Sequence, residues 1–301
     1  MLDIMCYSGQ QKVFEEASQD IEKLLQIEVN AKQIERVCHH YGNCIEQELS
    51  KAIEEGSTQA NPDNKSCYVM VDGSMIFTRE EGWKEIKVGR IFQQDSCIPI
   101  NANRRMIETS QYVSHLGGHL DFAKKMEYYL DSIPEKIVIA DGGKWIWNWV
   151  ESAYPEAVQI LDFFHAKEHL FSFAHLQFND ETEKKQWTEE QTLLLLNDEV
   201  ERVIVNLKQI KPNKKIRKSL QQLISYYQAH KKRMKYKTFK EKKLLIGSGP
   251  IESAHRNVIQ QRLKLSGQRW TKKGAQQVAN LRVMNKSNNW KMVLNLIRNA
   301  A

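Results

Sequence analysis

The chain has 301 residues, of which 41% are hydrophobic and 27% charged, a composition typical of a folded globular protein. It contains no run of 18 or more apolar residues, and residues 1–11 lack the basic and apolar segments of a secretory signal. We therefore expect a cytoplasmic protein without a membrane segment. The five cysteines are odd in number and irregularly spaced, which argues against a disulfide framework.

The net charge of +7 is unevenly distributed along the chain. Residues 1–207 carry 35 acidic and 20 basic side chains, whereas residues 208–301 carry 2 acidic and 24 basic ones. Clustered Lys and Arg side chains indicate a polyanionic partner, because they neutralise phosphates and release counterions. A solvated helical face is the alternative explanation, and charge alone does not separate the two.

Two short helices are predicted near the N-terminus, over residues 11–26 and 31–41. Asn30 is positioned to cap the second helix, and Gln33 three residues later completes a variant of the capping box. The pair is either the end of a helix-turn-helix or a plain helical hairpin. We therefore expect a small helical N-terminal segment over residues 1–57.

Strand and helix patterns follow a polar linker at residues 56–65. Apolar, β-branched or alternating segments predict strands at 67–75, 83–92, 106–115, 136–140 and 157–161, and helical patterns predict helices at 118–130, 144–152 and 162–178. The wholly apolar run at 136–140 is typical of a buried central strand. This order predicts an α/β fold in which helices pack on a mixed sheet.

Residues 181–245 show no strand pattern and read as an all-helical insertion. The segment 247–250 (GSGP) then breaks the chain, and its proline suits the first turn of a new helix. That helix carries Glu252 beside an apolar stripe formed by Ile251, Ala254, Val258, Ile259 and Leu263. We therefore expect residues 66–180 and 246–301 to form one domain that the insertion interrupts.

Three acidic residues occupy positions where a carboxylate is costly unless it is paired or binds a metal. Asp72 lies in the apolar first strand, Asp141 closes the strand at 136–140, and Glu252 opens the helix after the break. For either aspartate alone, an Asp-Gly turn is the simpler explanation. Together, three carboxylates at one sheet edge are suited to hold two divalent ions beside a phosphodiester, because Mg²⁺ prefers carboxylate oxygens.

Four segments, taken in order, resemble a known family. They are YVMVDGSMIF at 68–77, IVIADGGKWIWNWV at 137–150, LDFFHAKEHL at 161–170 and GSGPIESAHRNVIQQRLKLSGQRW at 247–270. The chain resembles Kra-type insertion-sequence transposases, in the wider group that includes the Mutator-like enzymes. The likeness covers roughly residues 66–180 and 246–285. It implies a ribonuclease H-like catalytic domain whose mixed sheet is flanked by helices and interrupted by a helical insertion.

The resemblance also implies a DDE-type DNA transposase whose catalytic and metal-binding residues are Asp72, Asp141 and Glu252. These residues would bind two Mg²⁺ ions, or Mn²⁺ in their place. The enzyme would act as a homo-oligomer on double-stranded DNA, namely the terminal inverted repeats and the target DNA. Hydrolysis at the element end would free a 3′-OH that attacks the target. Asp162 and His165 fall on the group's Asp/Cys-x-x-His signature and would orient the metal ligands. A core histidine bonded to Asp162 is the structural alternative.

Basic residues of the insertion and the last helices are predicted to contact DNA phosphates. They are Lys214, Lys215, Arg217, Lys218, Lys231, Lys232, Arg233, Lys235, Arg256, Arg262, Lys264 and Arg269. Aromatic side chains between them, such as Tyr226, could stack on unpaired bases, with core packing as the alternative.

Two other functions remain open. His165 to His169 (HAKEH) fits the H-x-x-E-H pattern of zinc peptidases, in which His165 and His169 bind zinc and Glu168 acts as a base. The other is a catalytically inactive, transposase-derived DNA-binding protein. Related transposases usually carry a longer N-terminal region, and this chain begins within what resembles its last helices.

Overall fold

The structure is a computed structural model that describes residues 1–61, 65–101, 104–212 and 216–300. By their contacts these residues form two compact units. Unit 1 comprises Met1–Lys136 and Pro250–Ala301, and unit 2 comprises Ile137–Gly249. The predicted insertion at 181–245 lies wholly within unit 2, together with the strands and helices that precede it from residue 137.

The N-terminal segment has three helices, α1 (Leu2–Gln11), α2 (Phe14–Leu25) and α3 (Ala31–Glu54). The predicted cap is confirmed, because the Asn30 side chain accepts a hydrogen bond from the Gln33 backbone nitrogen at 2.8 Å. Helix α3 continues well beyond the predicted end at residue 41, and α1 was not predicted. In the described part of the linker, residues 56–61 and 65, there is no helix or strand.

Seven strands are described, β1 (Cys67–Thr78), β2 (Gly82–Gln93), β3 (Cys97–Asn101), β4 (Arg104–Ile107), β5 (Gln111–Leu116), β6 (Lys136–Ala140) and β7 (Val158–Leu161). Five of them form a mixed sheet in the order β5-β2-β1-β6-β7, and β3 pairs with β4 separately. The strand predicted at 106–115 is wrong in its bounds, since β4 and β5 divide it and belong to different sheets. The predicted α/β class, a mixed sheet flanked by helices, is confirmed.

In unit 1, β1 pairs antiparallel with β2, and β2 pairs antiparallel with β5. Helix α4 (His119–Leu130) packs on β2 and β5 through buried Phe122 and Met126. Gly89 of β2 allows this approach, because a Cβ there would lie 2.2 Å from the Met126 sulfur. Helix α13 (Lys272–Lys286) packs against β5 and α3, and α14 (Trp290–Asn299) closes the chain. The core of unit 1 therefore lies between the sheet and these helices.

In unit 2, β6 and β7 are parallel, and α5 (Lys144–Ala153) and α6 (Phe163–Gln177) follow them. The predicted all-helical insertion contains α7 (Glu181–Leu196), α8 (Val200–Gln209), α9 (Arg217–His230) and α10 (Tyr236–Glu241), with no strand in its described residues. The Tyr227 hydroxyl donates to the Ala166 carbonyl at 2.8 Å and ties α9 to α6. The insertion is thus packed on the helix that follows β7.

The helix predicted after residue 250 has three parts: α11 (Gly249–Ala254), a π-helical segment (His255–Gln260) and α12 (Gln261–Leu263). All members of the predicted apolar stripe are buried, namely Ile251, Ala254, Val258, Ile259 and Leu263. Glu252 lies in the first turn and is exposed. Over the described ranges, none of the helices combines the length and the apolar character needed to span a membrane.

Candidate functional site

Asp72 lies in the middle of β1, opposite Val88 of β2. Its Oδ1 accepts a hydrogen bond from the Gly73 backbone nitrogen at 2.7 Å. The carboxylate thus bonds a local backbone amide, as the Asp-Gly explanation requires, although it lies within a strand and not at a turn. Its Oδ2 lies 3.5 Å from Nε2 of His255, and 38% of the side chain is exposed. Asp72 is therefore an accessible carboxylate on an otherwise apolar strand, in contact with a histidine from the far end of the chain.

His255 connects Asp72 to the helix of Glu252. It lies three residues after Glu252, is buried, and neither ring nitrogen has a hydrogen-bond partner among the described residues. Burial lowers the pKa of His255, and the opposing effect of Asp72 is smaller. His255 was not among the predicted site residues, although its position three residues after Glu252 on the same helix was a usable signal.

A buried arginine fixes the start of the same helix. Nη1 of Arg90, on β2, donates to the Pro250 carbonyl at 2.8 Å, and its Nε donates to the Ser110 hydroxyl at 2.9 Å. The guanidinium also lies over the rings of Phe92 and Tyr112. Arg90 was not predicted either, and a cation between the apolar residues Val88 and Ile91 of β2 was the signal that could have revealed it.

Asp141 follows β6 directly and belongs to unit 2. Its Oδ1 accepts from the Gly143 backbone nitrogen at 2.8 Å, and its carbonyl accepts from Nε1 of Trp147 at 2.7 Å. These bonds fix the turn between β6 and α5. The next residue is Gly142, where a Cβ would lie 2.3 Å from the Tyr226 ring. Glycine therefore allows an aromatic side chain of the insertion to approach the Asp141 turn.

Asp162 is 1% exposed and caps α6. Its Oδ1 accepts from the backbone nitrogens of Phe164 and His165, and its Oδ2 accepts from the backbone nitrogen and the hydroxyl of Ser248. Burial alone would raise the pKa of Asp162, but the bonds from His165 and Ser248 outweigh it and lower the pKa. Asp162 therefore holds the loop that leads into the Glu252 helix against the start of α6.

His165 is half-exposed, with its Nδ1 3.8 Å from Oδ2 of Asp162. It is not the core histidine of the structural alternative. The nearby Asp162 carboxylate, with smaller contributions from Asp141 and Glu168, raises the pKa of His165 to about 9. The imidazole is therefore a cation at neutral pH, placed beside carboxylates where it can attract a phosphate.

His169, the second histidine of the H-x-x-E-H pattern, packs on Tyr226 with ring centroids 4.3 Å apart. Burial, followed by the neighbouring His165, lowers its pKa. The other histidine of the pattern, His165, has its Nδ1 3.8 Å from Oδ2 of Asp162. The zinc-peptidase hypothesis gains no support from this geometry.

The predicted DNA contacts divide into exposed and buried residues. Exposed ones are Arg217, Lys218, Lys231, Lys232, Lys235, Arg256, Lys264 and Arg269, for which the prediction stands untested. Lys214 and Lys215 lie outside the described residues.

Arg233 and Arg262 differ from the expectation because both are buried. Arg233 donates to Gln159 at 2.8 Å and to Glu151, and its guanidinium lies 4.4 Å from the Trp147 ring centre. Arg262 donates to the Gly9 carbonyl. These contacts give both guanidinium groups an internal role, and neither lies on the exposed surface as the prediction required.

The carboxylates of the predicted triad are the kind of oxygen donor that Mg²⁺ prefers. Among the residues that the structure describes, no group of three or more His, Cys, Asp or Glu side chains is arranged to hold a metal ion. The individual carboxylates are chemically suitable, since Asp72 is accessible and Glu252 is exposed. The predicted triad of Asp72, Asp141 and Glu252 remains a prediction.

Comparison with known proteins adds no assignment: no protein-family model matches the chain, and no curated protein matches it either.

Proposed function

We propose that the chain is a DDE-type DNA transposase that cleaves phosphodiesters at insertion-sequence ends and transfers the strand to target DNA. The observation that carries the proposal is the contact between Asp72 and His255, one helical turn after Glu252. It brings the helix of one predicted carboxylate to the strand of another, although 180 residues of sequence separate positions 72 and 252.

The architecture supports the same proposal. Three antiparallel strands followed in the sheet order by two parallel strands agree with a ribonuclease H-like domain. Asp141 directly follows β6, the fourth strand of the sheet in chain order, and an all-helical segment separates it from Glu252. These positions are those that the resemblance to Kra-type transposases assigns to catalytic carboxylates.

In this proposal Asp72, Asp141 and Glu252 would hold divalent ions. When bound, such ions neutralise charge on the attacking and leaving oxygens of a phosphodiester. His255 and Arg90 act as positioning residues, the first at Asp72 and the second at the start of the Glu252 helix. The His165 imidazolium attracts a DNA phosphate, and Asp162 fixes that histidine. The exposed basic residues contact the DNA backbone.

The test is cleavage of DNA that carries the sequences flanking this gene, with Mg²⁺ or Mn²⁺. We expect cleavage by the unaltered chain and its loss in Asp141→Asn and Glu252→Gln. The matched controls Asp121→Asn and Glu201→Gln alter exposed acids elsewhere and should cleave normally. Normal cleavage by either triad variant would refute the assignment, and DNA binding without cleavage would favour the inactive DNA-binding alternative.

A further inference from the structure

A cavity of about 260 Å³ in unit 1 is lined by an unusual concentration of cationic side chains. Three arginines contribute to it: Arg79 just after β1, Arg262 in α12, and Arg269 in the loop before α13. Glu35 of α3 is the one acidic residue in the lining, and Lys32 already pairs with it at 2.6 Å. The cavity therefore offers an excess of positive charge.

Arg262 is the central observation, because it is 1% exposed and incompletely bonded. Its Nε donates to the Gly9 carbonyl at 3.0 Å. With the Gln268 amide in the orientation that satisfies its oxygen and its nitrogen, the oxygen accepts from Nη1 of Arg262 at 3.2 Å. The guanidinium is held between the rings of Phe14 and Trp270, with centroids at 4.6 and 4.9 Å.

Nη2 of Arg262 has no hydrogen-bond partner among the described residues. An unsatisfied charged donor inside a protein is costly, and native structures rarely retain one without an acceptor. The rings and the Gly9 carbonyl fix the guanidinium so that it cannot turn to solvent. The arrangement is that of a preorganised cation that lacks its anion.

The other two arginines are exposed. The Arg79 backbone is fixed to the Trp270 carbonyl at 2.8 Å, and its Nε donates to the Arg269 carbonyl at 3.1 Å. Thr271 also lines the cavity and caps α13, a helix of 15 residues whose N-terminal dipole favours an anion. Two guanidinium groups and a helix N-terminus thus join Arg262 around one space.

His39 completes the polar lining. Its Nε2 has no hydrogen-bond partner among the described residues. Burial lowers the pKa of His39, and the opposing effect of Glu35 does not outweigh the combined effect of burial and the nearby cations Lys32, Arg262 and Lys273. A neutral imidazole can donate one hydrogen bond to an oxyanion without adding a charge.

We propose that this cavity binds a phosphate group through Arg79, Arg262, Arg269 and His39. Guanidinium groups match phosphate oxygens in geometry and charge. The volume of about 260 Å³ lies below the range of pockets that enclose drug-sized ligands, which fits a single phosphate group. The inference goes beyond the proposed function, because it uses none of the three carboxylates and needs neither metal nor DNA cleavage.

Inorganic phosphate is the first probe, titrated into the full chain in EDTA at constant ionic strength, with chloride as the reference anion. We expect phosphate-specific binding by calorimetry and a phosphate-dependent rise in melting temperature. Arg79→Ala, which removes an exposed side chain, should weaken binding about tenfold or more, because a charge-assisted hydrogen bond is lost. The control Arg298→Ala removes an exposed arginine of α14 and should bind normally.

A second arm identifies the source of the phosphate group. Short DNA duplexes with a 5′-phosphate or a 5′-hydroxyl are tested as competitors. If the 5′-phosphorylated duplex competes with inorganic phosphate more strongly than the 5′-hydroxyl duplex does, the site binds a DNA end. If neither duplex competes with inorganic phosphate, the site binds free phosphate. Equal binding of phosphate and chloride, or equal affinity in the unaltered chain and Arg79→Ala, overturns the proposal. Because this measurement needs no metal, its failure leaves the cleavage test of the triad unaffected.

Discussion

Nη1 of Arg90 donates a hydrogen bond to the carbonyl oxygen of Pro250 at 2.8 Å, across 160 residues of sequence. The bond joins β2 to the first turn of the helix that carries Glu252 and His255. Because Arg90 is buried and stacked on two aromatic rings, its own position is fixed, and it fixes the helix in turn.

Replacing Arg90 by alanine should therefore lower both stability and activity. The carbonyl of Pro250 and the hydroxyl of Ser110 lose their donor, which costs about 1–3 kcal/mol in the free energy of unfolding measured by urea titration. DNA cleavage should fall further than that loss explains, with DNA binding retained. Arg298→Ala serves as the control and should change stability by less than about 0.5 kcal/mol. An Arg90→Ala chain with unchanged stability would contradict the positioning role.

Asp162 and Ser248 should behave as an energetically coupled pair. Asp162→Asn and Ser248→Ala each remove bonds at the same carboxylate oxygen, so each should lower the free energy of unfolding, by about 1–3 kcal/mol. The double variant should lose less than the sum of the two, with a coupling of at least about 0.5 kcal/mol. The free energy of unfolding is measured by denaturant titration for the unaltered chain, the two single variants and the double variant. If the losses of the single variants add up to the loss of the double variant, the pair does not act as a unit.

His165 should make stability depend on pH in the alkaline range. Its pKa is raised to about 9 in the folded chain, chiefly by Asp162, from a usual value near 6.5. The stabilisation is therefore fully present below about pH 6.5 and is lost as pH rises through about 9. Unfolding free energies measured from pH 6.5 to 9.5 should decline more steeply in the unaltered chain than in His165→Gln. Parallel curves would mean that His165 has its ordinary pKa.

Gly42 should be essential for the packing of α3 on α13. A Cβ at position 42 would lie 2.2 Å from the Gln277 carbonyl oxygen, and that obstacle is backbone that cannot rotate away. Gly42→Ala should therefore destabilise the chain by about 1–3 kcal/mol, the usual cost of overpacking, in thermal or urea unfolding. At Gly118, where a Cβ meets nothing within 4 Å, the same substitution should be nearly neutral. Equal effects at the two sites would refute this explanation.

Much of the fold follows from local sequence pattern. The apolar run at β6 was predicted with its observed bounds, and Asn30 caps α3 as its position indicated. Helix α3 and the strand at 106–115 were predicted less well because their bounds depend on tertiary contacts. Helix α3 continues to Glu54 along α13, and the chain between β4 and β5 includes Ser110, which accepts a bond from Arg90.

The candidate site was predictable only in part. Residue type and position indicated Asp72, Asp141 and Glu252, but a cation in a basic segment gives no local sign of whether it faces solvent. Arg233 and Arg262 are buried because aromatic rings from distant segments, Trp147 and Phe14, pack against them. Such pairings are set by the fold, and even the nearby Trp270, which also packs on Arg262, does not by itself show that this arginine is buried.

The π-helical segment His255–Gln260 constrains the length of the chain as well as its composition. A π turn contains one residue more than an α turn. The side chains that follow it therefore point to a different side of the helix axis than they would after a regular α turn. Regular α-helix over the same number of residues would rotate Leu263 and Arg262 by about 100° relative to Ile251 and Ala254, and the apolar stripe would split into two faces. A one-residue deletion that closes the wide turn into regular helix would keep the two halves of the stripe in register, so the extra residue and the wide turn belong together.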